Sequence, residues 1–421
     1  MKKILLAGAG ILALGLGTAH SAEVQLRILE TTDIHVHVVD YDYYKDAPSV
    51  AVGLARTATL IKEARQEVKN SVLIDNGDLI QGNPLGDYMA KERGLKQGEV
   101  HPVFKAMNLL KYDVGNLGNH EFNYGLDFLT ETLNDAAFPY VSSNVFIDDG
   151  DKDPSNDKSA FEPYIILDRE VVDTSGKKHA IKVGVIGFLP PQITQWDEAN
   201  LKGKLVTHDI VDTAKRYVPE MKEKGADIIV AVPHSGLSDV TPQGRDENAT
   251  YHLSKVEGLD AILFGHAHAV FPSETYKDIA GVNIEKGTIN GVAATMPGFW
   301  GSHLGLVDLT LDVDDNGNWK VVDSTGSTRG IYKRDGRKKH PLVKADQSIV
   351  DAVKHEHEET IEFMRKAVGA TSAPINSFFA LVQDDPSIQI VTNAQKWYVE
   401  KLIKGTEYDG IPVLSAGAPF K

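Results

Sequence analysis

The sequence contains no cysteine among its 421 residues. This absence excludes disulfide bonds, thiolate metal ligands and a lipid-modified cysteine. An excess of positive charge is also missing, since 44 lysine and arginine residues face 59 aspartate and glutamate residues, which gives a net charge of −15. This balance argues against nonspecific binding of a nucleic-acid polymer through a basic face. It does not exclude a small anionic substrate, because local cations can dominate a single site.

Long apolar runs are scarce. The run at the N-terminus, MKKILLAGAGILALGLGTAHSA, begins with two lysines and ends in small residues. This order is typical of a secretory signal peptide, which we predict over residues 1–22. No later run approaches the roughly 18 apolar residues that a membrane span needs. We therefore expect no membrane contact after cleavage, and the bacterial form of the leader predicts a periplasmic location.

Strand-like and helix-like segments alternate along the rest of the chain. The pattern of a strand that runs into a polar loop occurs five times, in VQLRILETTDIH, SVLIDNGDLIQG, DVGNLGNHEF, ADIIVAVPHSG and LDAILFGHAH. Helical spacing occurs between them, as in GLARTATLIKEARQEVKN, PVFKAMNLLKY and IVDTAKRYVPEMKEKG. The alternation predicts an α/β layered fold, in which ligands gather at the loops after strand carboxyl ends.

The length predicts one large domain and part of a second. A basic stretch, YKRDGRKKHPLVKADQ, marks a change in composition, and we interpret residues 333–347 as the approach to a linker. A helix is predicted from about Ser348 to Met364. The segment DVDDNGNWKVVD has the spacing of a calcium loop, but its flanks alternate like strands, so a hairpin turn is the better interpretation.

The loops after five predicted strands carry aspartate, asparagine or histidine. Oxygen and imidazole donors without sulfur suit Mn, Fe, Zn, Co or Mg. So many ligands exceed the needs of one tetrahedral ion and suit two cations, the arrangement that supports in-line attack on phosphorus. The residues are Asp33 and His35, Asp75 and Asp78, Asn119 and His120, His234, and His266 and His268.

Spacing within these loops supports shared binding. Residues two apart in an extended segment point to the same side, so Asp33 and His35 can reach one ion, as can His266 and His268. One carboxylate, such as that of Asp78, can bridge two cations. Each loop alone also fits a helix cap, a turn or a solvated histidine, but five such loops in an alternating order favour the metal site.

The motifs DIH, GDLIQG, GNHEF, PHSG and GHAH, in this order, resemble those of the secreted 5'-nucleotidase family with its calcineurin-like metallophosphoesterase domain. The sequences LETTDIH, YDYYKD and NSVLIDNGDLIQGNPLGDYM are similar to those of the branch of that family that acts on 2',3'-cyclic nucleotides and 3'-nucleotides. The resemblance implies a four-layer α/β/β/α sandwich over residues 23–340. It further implies a linker helix over 341–370 and the beginning of a truncated C-terminal nucleotidase domain over 371–421.

The resemblance also implies roles for single residues and two divalent metal ions, Mn, Zn, Co or Fe. His120 would stay off the metals as the catalytic imidazole, where it stabilises charge on the phosphoryl group or protonates the leaving alkoxide. Asn123 stands where 5'-nucleotidases carry an aspartate that orients this histidine, and an amide cannot raise the imidazole pKa as a carboxylate would. The implied metal ligands are Asp33, His35 and His268 for one ion, Asn119, His234 and His266 for the other, and Asp78 as the bridge.

The implied activity is hydrolysis of small nucleotides. The enzyme would open 2',3'-cyclic nucleotides to 3'-nucleotides and dephosphorylate these to nucleoside and phosphate. One alternative is a 5'-nucleotidase or nucleotide-sugar hydrolase of the same family, against which Asn123 and the YDYYKD segment argue. Another is a metal- or nucleotide-binding protein without catalysis, which the full set of candidate ligands disfavours.

Overall fold

The structure is a computed structural model that describes residues 22–96, 98–151, 153–314 and 316–418. The predicted signal peptide, apart from Ala22, lies outside the described residues. Two compact units divide the chain, of which the first ends at Met364 and the second begins at Arg365. No helix in the described part of the chain has both the length and the apolar character that crossing a membrane requires. The predicted domain boundaries at 340 and 370 stay predictions.

The described residues form twenty strands and eleven α-helices. The strands are β1 (Ala22–Thr31), β2 (Tyr41–Asp42), β3 (Ala47–Pro48), β4 (Ser71–Asp75), β5 (Val114–Asn116), β6 (Tyr140–Val141), β7 (Val145–Ile147), β8 (Tyr164–Val172), β9 (Lys178–Phe188), β10 (Leu205–Thr207), β11 (Ile228–Pro233), β12 (Ala261–Leu263), β13 (Val270–Phe271), β14 (Val282–Asn283), β15 (Thr288–Ile289), β16 (Val292–Pro297), β17 (His303–Val313), β18 (Trp319–Gly330), β19 (Tyr332–Asp335) and β20 (Lys338–Pro341). The helices are α1 (Leu54–Gln66), α2 (Pro84–Asp87), α3 (Pro102–Leu110), α4 (Leu126–Leu133), α5 (Ile193–Trp196), α6 (Glu198–Leu201), α7 (Ile210–Glu223), α8 (Thr250–Leu253), α9 (Gln347–Ala352), α10 (Lys354–Arg365) and α11 (Pro386–Ile403).

Two mixed sheets lie at the centre of the first unit. One has the strand order β18-β17-β1-β4-β5-β6, and its β1, β4, β5 and β6 run parallel. The other has the order β14-β15-β16-β12-β11-β9-β8, with β13 paired to β16, and its β9, β11, β12 and β16 run parallel. Hairpins β8–β9 and β17–β18 are antiparallel, and the second contains the turn predicted at DVDDNGNWKVVD.

Three apolar clusters fill the spaces between the layers. Ile28, Val183 and Leu309 belong to a cluster that contains buried side chains from both sheets. Helices α1 and α3 pack on the first sheet within a second cluster, and α7 packs on the second sheet within a third. The predicted four-layer α/β/β/α sandwich is therefore confirmed, as are the helices predicted around α1, α3 and α7.

Two segments near the end of the first unit differ from the prediction. The helix expected from Ser348 to Met364 is interrupted at Val353 and forms α9 and α10. The basic stretch interpreted as the approach to a linker contains the hairpin β19–β20. Gly336 occupies its turn with a φ of 57°, a conformation that glycine adopts at little cost. In the second unit, the Asp385 side chain caps α11 by accepting from the backbone N–H of Ser387.

Candidate metal centre

Five loops bring the candidate ligands to one edge of the two sheets. Each loop follows a parallel strand, and parallel strands place their carboxyl ends on the same side. The first sheet contributes through the loops after β1, β4 and β5, and the second through those after β11 and β12. Two groups of side chains could each hold an ion: Asp33, His35, Asp78 and His268, and Asp78, His234 and His266.

The first group is compact. Nε2 of His268 lies 3.1 Å from Oδ1 of Asp33 and 3.0 Å from Nε2 of His35. Nε2 of His35 lies 3.9 Å from the same Asp33 oxygen and 3.7 Å from Oδ2 of Asp78. Donor atoms of all four side chains therefore converge on one small volume.

The second group shares the Asp78 carboxylate. Oδ2 of Asp78 lies 3.0 Å from Nε2 of His234, while Oδ1 accepts a hydrogen bond of 2.7 Å from the backbone N–H of His120. The rings of His234 and His266 are 5.3 Å apart between centroids. Asn119 is buried in the loop after β5. Asp78 thus stands between the two groups, the arrangement that a bridging ligand requires.

Backbone carbonyls set the orientation of two of the histidines. Nδ1 of His35 lies 2.8 Å from the carbonyl oxygen of Gln81, and Nδ1 of His234 lies 2.8 Å from that of Asn76. A carbonyl oxygen only accepts, so Nδ1 carries the proton in both rings. Their Nε2 atoms are then the ones that face the ligand groups, and the outer hydrogen bond holds each ring in place.

Three buried ligand atoms of the site make no hydrogen bond of normal geometry among the described residues. Oδ1 of Asn119 is one of them. The other two, Oδ1 of Asp33 and Nε2 of His234, have only the ion-pair contacts to His268 and Asp78 given above. A buried polar atom left in this state costs about 1–3 kcal/mol. Oxygen and imidazole donors in this number fit divalent cations. The fold and the His/Asp cluster together indicate that the site takes divalent metals.

The electrostatics of the site also favour a bound cation. Burial lowers the pKa of His234, but the carboxylates of Asp78 and Asp33 raise it more strongly, to about 10. Burial raises the pKa of Asp33 and of Asp78, yet the neighbouring histidines lower both below the usual range. Two buried carboxylates therefore attract positive charge to this edge of the sheets.

The backbone of the ligand loops is not extended, contrary to the expectation from spacing. Asp33, His35, Asp78, His266 and His268 have φ angles of 51°, 48°, 56°, 70° and 52°. This left-handed region costs a non-glycine residue about 1 kcal/mol or more and is typical of functional sites. The tight loops bring Asp33 and His35 into one group, but they place His266 and His268 in different groups.

Two further residues hold the loops after β4 and β5 together, and the sequence did not reveal either. The buried carboxylate of Glu121 accepts hydrogen bonds from the backbone N–H groups of Asp78 at 2.7 Å and Gly118 at 2.6 Å. A Cβ atom on Gly118 would meet Oδ1 of Asp78 at 2.3 Å. Asp75 lies outside both ligand groups, since its carboxylate accepts from Thr31 Oγ1 and from the N–H of Gly77.

His120 lies beside the first group without belonging to it. Its ring stands 5.1 Å from the ring of His35 between centroids. Nδ1 of His120 lies 2.6 Å from Oδ1 of Asn123, the residue that stands where 5'-nucleotidases carry an aspartate. Nδ2 of Asn123 in turn donates to both carboxylate oxygens of Asp197, at 3.1 and 2.9 Å. No metal-ligand pattern in the sequence singles out Asp197, which follows α5.

Other side chains surround the candidate ligands. Trp196 lies over the ring of His266 with a centroid separation of 5.9 Å and is 47% exposed. Phe299 stacks on His268 at 4.7 Å. Nε2 of His266 is 2.7 Å from a carboxylate oxygen of Glu247. If this nitrogen donates to Glu247, the opposite ring nitrogen of His266 is the one available to a cation.

Comparison with known proteins identifies the family of the chain and several similar proteins. Residues 26–270 match the calcineurin-like phosphoesterase family. The 2',3'-cyclic-nucleotide 2'-phosphodiesterase/3'-nucleotidase of Salmonella typhimurium is 53% identical over 405 residues, which are 96% of this chain and 61% of that protein. The protein of the same name from Haemophilus influenzae is 47% identical and covers 95% of this chain and 60% of its own length.

A solved structure is similar as well. The crystal structure of the calcineurin-like phosphoesterase YfkN from Bacillus subtilis matches with a TM-score of 0.75 and 44% identity. The match covers 82% of this chain and 100% of that one. This chain spans about three fifths of the length of the two nucleotidases.

Proposed function

We propose, from the premise that this chain belongs to the calcineurin-like phosphoesterase family, that it is a two-cation phosphohydrolase of nucleotides. It opens 2',3'-cyclic nucleotides to 3'-nucleotides and then dephosphorylates these to nucleoside and phosphate. The observation that carries the proposal is the pair of ligand groups that share Asp78, with His120 beside them. The names of the relatives at 53% and 47% identity support the choice of substrate.

We propose the following roles for the candidate ligands. Asp33, His35 and His268 hold one cation, Asn119, His234 and His266 hold the other, and Asp78 bridges them. Two divalent cations bound there would activate a water molecule and neutralise charge on the phosphoryl oxygens. The absence of cysteine favours Mn, Zn, Co or Fe held by oxygen and nitrogen.

His120 would act on the leaving group. Its Nδ1 side contacts Asn123, so Nε2 is the nitrogen left to serve the substrate. When the ester bond breaks, the ribose oxygen takes a proton from this nitrogen. The substrates are small nucleotides rather than a nucleic-acid polymer, which accords with the net charge of −15.

The cell compartment is a further part of the proposal. A leader over residues 1–22 directs the chain to the periplasm, where its cleavage releases the protein from the membrane. The composition of that segment, two lysines followed by an apolar run and small residues, supports this. N-terminal sequencing of the secreted protein tests it, with a first residue near Ala22 or Glu23 as the expected result.

The deciding experiment follows phosphate and nucleoside release from 2',3'-cyclic AMP, 3'-AMP, 5'-AMP and bis-p-nitrophenyl phosphate, with Mn, Co, Zn or chelator present. We expect turnover of the first two substrates and its loss in chelator. His120→Ala should lower kcat by about 10²–10⁴-fold, because it removes a positioned proton donor. His340→Ala, at an exposed position in β20, is the matched control and should leave kcat unchanged.

Other outcomes would contradict the proposal in distinct ways. Preference for 5'-AMP would assign the chain to the 5'-nucleotidase type. Cleavage of the synthetic diester alone would show a working centre without nucleotide specificity. Bound metal without turnover of any substrate would support a binding protein that lacks catalysis.

A further inference from the structure

We propose that Asp197 is a positioning residue that acts on His120 through the side-chain amide of Asn123. The inference rests on the proposed function and names a residue that the motif pattern leaves out. The chain of contacts is short and complete: 2.6 Å from His120 Nδ1 to Asn123 Oδ1, then 3.1 and 2.9 Å from Asn123 Nδ2 to the two oxygens of Asp197. Each contact has hydrogen-bond length.

The carboxylate decides which way the amide faces. An ionised carboxylate only accepts hydrogen bonds, so the side of Asn123 that faces Asp197 must be its NH₂ group. Its carbonyl oxygen then faces His120. Because that oxygen also only accepts, Nδ1 of His120 must carry a proton. Asp197 thus determines, through the orientation of the Asn123 amide, which atom faces a ring that Asp197 itself does not touch.

This protonation matters for the reaction. As the P–O bond to the ribose breaks, its electron pair stays on the ribose oxygen, which takes a proton from Nε2 of His120. The attacking water forms the new P–O bond and releases its proton to solvent, and solvent later returns a proton to Nε2. Nε2 can give up its proton to leave a neutral ring only if Nδ1 keeps one. A reversed amide at Asn123 would offer Nδ1 an N–H group and prevent this.

The local structure supports a dedicated role for Asp197. Within the described residues, its carboxylate accepts hydrogen bonds only from Asn123. It does not cap α6 with its side chain, although it stands at the start of that helix. Nδ2 of Asn200, one turn further on, donates to the backbone carbonyls of Phe122 at 3.0 Å and of Asn123 at 3.3 Å. The segment after β9 is therefore anchored to the turn that carries His120.

The test compares two phosphate monoesters, of which only one has a leaving oxygen that must be protonated. The ribose oxygen of 3'-AMP is a poor leaving group, whereas p-nitrophenolate leaves without protonation. Asp197→Asn should lower kcat for 3'-AMP by about 10- to 100-fold, with KM changed less than about threefold and with little effect on p-nitrophenyl phosphate. Glu198→Gln is the matched control, since Glu198 pairs with exposed Lys202 and should change neither rate.

A charge exchange sharpens the test. Asn123→Asp alone places two carboxylates within about 3 Å and should impair turnover of 3'-AMP. The double variant Asn123→Asp with Asp197→Asn again has one carboxylate and one amide, but in exchanged positions. The carboxylate then lies against Nδ1 of His120. We expect it to recover kcat to within about threefold of the wild type. Failure to recover, or equal losses on both monoesters in Asp197→Asn, would overturn the proposal in favour of a structural role.

A readout independent of turnover separates this inference from the proposed function. Nuclear magnetic resonance of the protein labelled with ¹⁵N-histidine reports which nitrogen of His120 carries the proton. We expect a protonated Nδ1 in the wild type and in Glu198→Gln, and a mixture of tautomers in Asp197→Asn. An unprotonated Nδ1 in the wild type would disprove the arrangement even if the enzyme is active. The expected pattern in a protein without turnover would refute only the activity.

Discussion

At the scale of single residues, the centre depends on how closely two backbone segments approach each other. The loop after β4 carries Asp78 and the loop after β5 carries Asn119. Glu121 accepts hydrogen bonds from backbone N–H groups of both loops, and Gly118 leaves no room for a side chain between them. The geometry of the shared carboxylate is therefore set by groups that are not themselves candidate ligands.

Gly118→Ala should weaken metal binding at least about tenfold. The added Cβ would lie 2.3 Å from Oδ1 and 2.6 Å from the backbone nitrogen of Asp78, so the carboxylate must shift. Isothermal titration with Mn²⁺ measures the effect. Gly369→Ala is the control, because a Cβ there meets no atom within 4 Å. Equal affinities in the two variants would show that the close approach has no bearing on the centre.

At the scale of elements, α3 begins with an unusual cap. His101 is fully buried, and its Nδ1 accepts a hydrogen bond of 3.3 Å from the backbone N–H of Val103. Burial, with a smaller contribution from Lys105, lowers its pKa from 6.5 to about 3. The backbone N–H of His101 donates to Asp135, which ties the start of the helix to the segment after α4. The imidazole thus serves as a neutral acceptor.

This cap predicts a loss of stability in acid. Between pH 6.5 and about 3 the unfolded chain binds a proton at His101 that the folded chain does not, so the free energy of unfolding falls as the pH falls. The loss is up to about 1.4 kcal/mol per pH unit. His101→Asn keeps a capping side chain but cannot titrate. Urea unfolding at pH 6.5 and 4.5 should show that the free energy of unfolding falls less with pH in this variant than in the wild type. An equal fall in the two proteins would contradict the assignment.

The elements also show what the sequence could predict. Because the candidates follow strands, the order of strands predicted that these loops converge, but it also included Asp75 and His120. The choice of seven ligands came from the family resemblance and stays a prediction: Asp33, His35, Asp78, Asn119, His234, His266 and His268. Asp197 could not be found this way. It meets Asn123 through the fold, after β9 and the short helix α5, and an aspartate before a helix is most often a cap. Glu121 likewise acts on backbone groups, which no residue pattern records.

The sequence analysis also missed the turn between β19 and β20, for a different reason. Asp335 and Gly336 form a turn signal that the surrounding basic residues obscured, because the change in composition suggested a linker. The break at Val353 between α9 and α10 has no proline or glycine to mark it. Composition predicts layers and loops well, whereas the ends of elements depend on tertiary contacts.

At the scale of the whole molecule, the two ligand groups join the two sheets. His268 from the second sheet lies among residues of the first, and Asp78 from the first lies against His234 of the second. Bound cations should therefore stabilise the packing of the sheets, in addition to relieving the unpaired buried donors.

Removal of metal should lower the melting temperature of the wild type by several degrees. Differential scanning calorimetry with Mn²⁺ and with chelator measures the shift. The shift should be smaller in His234→Ala, because this variant lacks a buried donor of the second group and keeps the four ligands of the first. His340→Ala should keep the full wild-type shift. A metal-dependent shift of undiminished size in His234→Ala would mean that the stabilising ions bind elsewhere.

The division of ligands between the sheets also determines when a metal can be captured during the life of the chain. The candidate ligands extend from Asp33 to His268, and neither sheet alone supplies a complete group. A chain in which only one of the two sheets has formed therefore has no complete site to offer. Capture follows the closure of the sandwich, so a molecule that carries metal has already brought its two sheets together.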